Sequence, residues 1–142
     1  MISVFFIMIN AALDACMDIL SHHYFKSIFS KKDKPKWNQF INPEYSWRKK
    51  YVDDDPKNGR VYWVKWKFIK IKKPVQITDA WHFIKMLKII VLCLAIVSFN
   101  MDEFMINNNE PTLISYFIVF ALHGVFWNIT FSQFYDHILR ND

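Results

Sequence analysis

The residues best suited to chemistry are carboxylates and imidazoles that stand inside otherwise apolar stretches of the chain. Asp14, Asp18 and His22 follow one another at intervals of four residues. Each such step turns an α-helix by only about 40°, so the three side chains share one slowly winding face. Farther along, Asp79 and His82 are three residues apart and fall together in the first turn of a second predicted helix.

The last apolar stretch contributes His123 at a depth that matches the first helix. With a rise of about 1.5 Å per residue, Asp14 and His123 lie at similar distances from the outer ends of their helices, so we expect them to face one another. Zinc, iron and manganese accept mixed carboxylate and imidazole ligands. The predicted ligands of a divalent metal are Asp14, Asp18, His22, Asp79, His82 and His123.

This polar line has three interpretations, and the residues alone leave open whether the protein is an enzyme. A divalent metal with an open coordination position would activate water or oxygen against a lipid in the cytoplasmic leaflet. Alternatively, the polar groups only fix helix packing through hydrogen bonds, as in a structural or interaction protein. A third alternative is an ion or proton path, for which three helices must assemble into a homo-oligomer.

Three predominantly apolar blocks carry these residues and set the fold class. The blocks span residues 2–20, 81–101 and 113–135. About twenty apolar residues cross the roughly 30 Å of hydrocarbon in a bilayer. The sequence therefore predicts an all-α membrane protein with three transmembrane helices in a single domain. The expected elements are helix 1 at 2–29, an interfacial loop at 30–77, helix 2 at 79–101, an outer connector at 102–111 and helix 3 at 112–138.

The charge distribution predicts how the chain is oriented in the membrane. Residues 31–73 contain fourteen Lys and Arg against five Asp and Glu, whereas the rest of the chain contains four against eight. Basic loops stay on the cytoplasmic side of a membrane. We therefore expect an integral protein of the cell membrane with its N-terminus outside, its large basic loop in the cytoplasm and its C-terminus inside.

The loop between the first two helices interleaves aromatic residues with Lys and Arg. Residues 64–68 alternate apolar and basic side chains as a half-buried strand does. Aromatic rings favour the headgroup zone, and Lys near anionic lipid is attracted to it. The expected partner is membrane lipid rather than nucleic acid. The candidate headgroup contacts are Lys85, Lys88, Trp47 and Lys50.

Two motifs carry a resemblance to a known group of proteins. The segment from Asn42 to Tyr51 reads N-P-x-x-S-W-x-x-K-Y, and the segment from Thr78 to His82 reads T-D-x-W-H. In these motifs the chain resembles an uncharacterised family of small bacterial polytopic membrane proteins, to which no activity is assigned. The resemblance implies a membrane location and a basic loop that is a fixed structural piece, folded back as a lid over the inner mouth.

Overall fold

A computed structural model describes residues 2–31, 35–106 and 113–140 of the chain. Their elements are mostly helical, with a short helix and a β-hairpin between the first two long helices. In chain order they are α1 (Ile2–His22), α2 (Pro35–Ile41), β1 (Tyr62–Trp66), β2 (Ile69–Lys72), α3 (Ala80–Ile106) and α4 (Leu113–Ser132), which continues as a π-helical segment (Gln133–Leu139).

Three of the described helices are long and apolar enough to cross a membrane. Their candidate spans are Ile2–His22, Ala80–Phe99 and Tyr116–Leu139. The first is the most enclosed by the other two. Three apolar helices of this length indicate a membrane-embedded protein, as the apolar blocks of the sequence predict.

The first helix lies at the centre of the bundle, and both α3 and α4 pack on it. Ala11 and Ala15, one turn apart on α1, have no exposed surface. Ala95 of α3 is also buried. Small side chains let helix backbones approach closely, which is how helices associate in a bilayer without a hydrophobic driving force. The alanines of α1 therefore explain why it takes the central position.

The first helix ends at His22, so the predicted extension to residue 29 is wrong. Beyond a short 3₁₀ turn, Ser27 is fully buried and forms an isolated antiparallel bridge with Arg140. Its hydroxyl donates to the Tyr24 carbonyl at 2.6 Å, and the Ile28 amide donates to the Leu139 carbonyl at 3.0 Å. These bonds compete with helix continuation, which the apolar spacing alone does not reveal.

Helix α3 corresponds to the predicted helix 2 and is longer than predicted. It begins at Ala80, close to the expected start at residue 79, but it continues to Ile106 rather than ending at residue 101. No Gly or Pro occurs in residues 101–106 to stop it. The first half of the predicted outer connector is therefore helical, and its remaining residues, 107–111, lie outside the described residues, as does residue 112 of the predicted helix 3.

The basic loop, residues 35–77, corrects the all-α prediction. Its centre is an antiparallel hairpin of β1 and β2, within a series of 3₁₀ turns. Alternating aromatic, β-branched and basic side chains favour a strand over a helix here. The predicted alternation at 64–68 falls on β1 and on the turn that follows it.

A small apolar core attaches the basic loop to the helices. Leu20 of α1 and Tyr24 of the 3₁₀ turn after it pack with Ile41 of α2 and Ala80 of α3, and all four are buried. Burial raises the pKa of the Tyr24 phenol above its ordinary value, so this side chain stays neutral. The loop is thereby held against the end of the bundle where α1 ends and α3 begins.

Candidate functional site

An ion pair joins α1 and α3 near the midpoints of their spans. Lys88 Nζ lies 2.6 Å from Asp14 Oδ1. The Lys88 carbonyl also accepts a hydrogen bond of 3.0 Å from the Asn10 amide. Lysines in membrane helices pair with carboxylates when the headgroups are far away, because an isolated charge in hydrocarbon is unstable. Lys88 is therefore paired with Asp14, and its predicted contact with a lipid headgroup stays a prediction.

Asp18 and His22, one turn farther along α1, make a looser contact. Their nearest charged atoms, Oδ1 and Nε2, are 3.8 Å apart, and both side chains are well exposed. The Asp18 carboxylate also accepts a hydrogen bond from the Tyr135 hydroxyl at the end of α4. Asp18 thus links α1 to α4, while Asp14 links α1 to α3.

His123 lies beside Ser3 at the start of α1, and not beside Asp14 as predicted. Its Nδ1 atom donates to the Val119 carbonyl at 2.7 Å, since a carbonyl can only accept. In the neutral ring, Nε2 then accepts from the Ser3 hydroxyl at 3.0 Å. The expected meeting of His123 with Asp14 does not occur, because the long α3 places the start of α4 beyond the start of α1.

Asp79 and His82 form a close pair at the start of α3. The Asp79 carboxylate is buried and accepts from the His82 backbone amide at 2.9 Å, as an N-cap residue does. Both carboxylate oxygens lie 2.8 Å from His82 Nδ1. Since Nδ1 is taken, His82 can meet a ligand only through Nε2.

The predicted metal cluster finds no support in residues 2–31, 35–106 and 113–140. No group of three or more His, Cys, Asp or Glu side chains that could hold a metal occurs there. The six predicted ligands are instead distributed over separate contacts, each with its own partner. Residues spaced four apart share one face of a helix, but whether they contact the same ligand depends on which side chains of the neighbouring helices lie opposite them.

A cleft of about 190 Å³ opens beside the Asp79–His82 pair. Two indoles, Trp47 of the basic loop and Trp81 of α3, line it together with the imidazole of His82. Ser46, which is buried, and Ser21 add hydroxyls to the wall. We call this the indole cleft; its full lining is Leu20, Ser21, Ile41, Pro43, Ser46, Trp47, Asp79, Trp81 and His82.

Both indoles of this cleft carry a cation on their ring. The Arg48 guanidinium carbon lies 5.3 Å from the centre of the Trp47 ring, and Lys85 Nζ lies 4.8 Å from that of Trp81. Each contact is within the range of a cation–π interaction. The carboxylate of Asp79 is the acidic group in the lining, and both of its oxygens lie 2.8 Å from His82 Nδ1.

A second cleft of about 380 Å³ adjoins the first and shares Ser21 and Trp81 with it. Asp14, Asp18 and Phe131 complete most of its wall. Two of the predicted metal ligands, Asp14 and Asp18, thus border a cleft on the surface of the bundle. The carboxylates there remain engaged by Lys88, His22 and Tyr135.

Comparison with known proteins returned no match. No family model fits the chain, and no curated protein or solved structure is similar to it.

Two of the four predicted headgroup contacts, Trp47 and Lys85, lie at this cleft. Trp47 lines the indole cleft and Lys85 covers its other indole, whereas Lys50 lies 5.4 Å from the ring centre of Tyr51. Arg48 and Trp81 were missed as site residues. Trp81 is a fixed position of the T-D-x-W-H motif, which could have indicated it, whereas Arg48 stands at a variable position of the other motif.

The arrangement of the indole cleft suits an anion at a membrane surface. Indole N–H groups and the Ser46 hydroxyl are of the types that donate hydrogen bonds to phosphate or carboxylate oxygens, whereas the Ser21 hydroxyl already donates to the Met17 carbonyl at 2.8 Å. Arg48 and Lys85 do not line the cleft themselves, but each places a positive charge on the ring of an indole that does. Trp side chains also favour the depth of the lipid headgroups, where one end of the ring is apolar and the other is wet.

Proposed function

We propose that this protein binds the anionic headgroup of a membrane lipid in the indole cleft, on the cytoplasmic side of the cell membrane. The observation that carries the proposal is the cation on each of the two indoles that line the cleft, Arg48 on Trp47 and Lys85 on Trp81. The positive-inside rule supports the cytoplasmic location of this end, because the basic loop lies there.

The electrostatics of the cleft favour an anion over a cation as its ligand. Asp79 is only 2% exposed, and both of its carboxylate oxygens lie 2.8 Å from His82 Nδ1, so little of its charge is open to a ligand. Each Lys or Arg close to an anionic lipid surface contributes about 1 kcal/mol of attraction. The apolar walls contributed by Leu20 and Ile41 suit the glycerol and upper acyl region below a headgroup.

The polar residues deeper in the bundle have a different role in this proposal, which is to fix how the helices pack. Their contacts cross between helices: Asp14 with Lys88, Asp18 with Tyr135 and Ser3 with His123. Interhelical polar contacts in membranes contribute roughly 0.6 to 2 kcal/mol each. These contacts support a structural function for the intramembrane residues and leave the indole cleft as the binding site.

The proposal is tested by titrating the detergent-purified protein with a short-chain phosphatidylglycerol, and in parallel with the matching phosphatidylcholine. Trp fluorescence reports occupancy of the cleft, because two of its walls are indoles. We expect saturable binding of the phosphatidylglycerol alone. Replacing one of the two cations on the indoles, in Arg48→Gln or Lys85→Gln, should weaken this binding about fivefold, the equivalent of roughly 1 kcal/mol.

Lys57→Gln is the matched control, because it removes the same charge from an exposed turn of the same loop. This variant should bind as the unchanged protein does. Equal weakening in Lys57→Gln and Lys85→Gln would show that net charge rather than the cleft attracts the lipid. Equal binding of the two lipids would contradict the choice of an anionic headgroup.

A further inference from the structure

The hairpin of the basic loop has one wholly apolar face. Residues paired across antiparallel strands point to the same side of the sheet. Val64 pairs with Ile71, and Trp66 pairs with Ile69. These four side chains therefore share one face, and they are between 43% and 71% exposed. In the turn beyond them, Phe68 is 97% exposed.

The opposite face of the hairpin is basic. Lys65 pairs with Lys70, and Tyr62 pairs with Lys72. An irregularity between Tyr62 and Val64 shifts the alternation there, so that Tyr62 lies on the basic side. Lys65 Nζ accordingly lies 6.0 Å from the centre of the Tyr62 ring. Residues 60–73 contain six Lys and Arg and no Asp or Glu, a formal charge of +6.

Short connections hold the hairpin near the membrane-entry end of α3. At its base the Val61 amide donates to the Lys50 carbonyl at 3.0 Å, and the Lys73 amide donates to the Val61 carbonyl at 2.8 Å. The 3₁₀ turn Val75–Ile77 that follows packs against α3. Lys72 is eight residues from Ala80, so the hairpin lies within about 28 Å of the first residue of that span.

We propose that the hairpin inserts its apolar face, with Phe68 at the tip, into the surface of the bilayer that the helices cross. A two-stranded sheet is marginal in water unless something covers its apolar face. Within the part of the chain that the structure describes, every residue of both strands is exposed. The bilayer is the apolar surface within reach, and Trp residues favour its interface.

Charge selects anionic lipid as the component that attracts the hairpin. The basic side chains lie on the face turned away from the hydrocarbon, yet within the roughly 8–10 Å over which charges are felt in physiological salt. A second copy of the hairpin would bring another +6 against this one, which opposes association face to face. Nucleic acid would satisfy the lysines, but it would leave the apolar face uncovered.

This inference is separate from headgroup binding in the indole cleft, because the four apolar residues and Phe68 do not line that cleft. The hairpin would act as a second, less specific attachment that holds the basic loop flat on the membrane. Insertion can therefore fail while the cleft still binds lipid, and the reverse also holds.

The test places a nitroxide spin label on each face of the hairpin in the full chain. The native cysteines, Cys16 and Cys93, are first replaced with alanine. Ile71→Cys carries the label on the apolar face, and the adjacent Lys70→Cys is the matched control on the basic face. The protein is incorporated into nanodiscs of phosphatidylcholine with phosphatidylglycerol, where collisions with oxygen and with a water-soluble nickel chelate give the depth of each label.

We expect the label at position 71 to be open to oxygen, closed to the nickel chelate and about 5–10 Å below the headgroup surface. The label at position 70 should show the reverse, and nanodiscs of phosphatidylcholine alone should reduce the difference. Equal nickel access at both positions would overturn the inference. Dipolar broadening at position 71 would assign the face to a second copy, and protection only after adding an oligonucleotide would assign it to nucleic acid.

Discussion

Lys88 and Asp14 form the contact that sets the register of α3 against α1, with 2.6 Å between Nζ and Oδ1. Their side chains are 30% and 26% exposed, so the pair is partly withdrawn from its surroundings. The Asn10 amide binds the carbonyl of the same lysine. Two polar contacts at one position of α3 oppose sliding of the two helices, since any shift would separate the ions in an apolar medium.

Removing one member of this ion pair should destabilise the protein more than removing both. Lys88→Met leaves the Asp14 carboxylate without its cation, and we expect the free energy of unfolding to fall by about 1–3 kcal/mol. The double variant Asp14→Leu with Lys88→Met should recover most of this loss, because apolar side chains suit the same surroundings. Unfolding in mixed detergent micelles, followed by circular dichroism, measures both.

Lys85→Met serves as the control for that experiment, because it removes a lysine one turn away that contacts an indole rather than a carboxylate. It should change the stability by less than Lys88→Met. If the double variant is as unstable as Lys88→Met, the two side chains are not coupled and the register of α3 depends on other contacts.

The hydrogen bond between Ser3 and His123 should couple the start of α1 to the middle of α4. In a double-mutant cycle with Ser3→Ala and His123→Phe, we expect a coupling energy of about 0.6 kcal/mol, and at most about 1.7 kcal/mol. Thermal unfolding of the four proteins in one detergent gives this quantity. Strictly additive losses would show that the two residues, 3.0 Å apart at Oγ and Nε2, act independently.

Asp79 should have both a structural and a positioning role. Asp79→Ala removes the N-cap of α3, which lowers stability by about 1–2 kcal/mol, and releases the His82 ring that it holds. Asp79→Asn keeps an efficient N-cap, so it should restore the stability. Calorimetric or optical thermal unfolding distinguishes the two variants.

Asp55→Ala is the matched control, because Asp55 also accepts from a backbone amide, that of Lys57, but caps only a 3₁₀ turn in the exposed loop. Its effect on thermal stability should be much smaller. A loss as large as that of Asp79→Ala would mean that the basic loop, rather than the start of α3, limits the stability of the fold.

The sequence predicts the membrane helices well because their signal is local. Uninterrupted apolar composition over about twenty residues is enough to indicate a span, whatever its neighbours are. The start of α3 is also local, since Asp79 can cap the amides that follow it. The end of α1, in contrast, depends on a distant part of the chain. Ser27 forms a bridge with Arg140, 113 residues later, and so does not continue the helix.

The site was harder to predict, because the position of a residue along its own helix does not tell which residue of another helix lies at the same level. Asp14 and His123 were matched on the assumption that α1 and α4 start at the same level. The continuation of α3 to Ile106 moves the start of α4 outward, so His123 reaches Ser3 instead. The cleft itself depends on how Trp47 of the basic loop folds back on α3, and no periodicity of the sequence encodes that.

The predicted orientation gives a test in intact cells. Fourteen of the eighteen Lys and Arg residues fall in residues 31–73, so the positive-inside rule places the basic loop in the cytoplasm. In a background without Cys16 and Cys93, Asn58→Cys puts a single thiol on an exposed turn of that loop. A membrane-impermeant maleimide should leave it unlabelled until the cells are opened.

A cysteine added before Met1 is the complementary position, because the same rule places the N-terminus outside. It should react in intact cells and gain nothing when they are opened. Labelling of Asn58→Cys in intact cells would reverse the orientation. The indole cleft and the hairpin would then face the outer leaflet, and the lipid that they bind would have to be sought there.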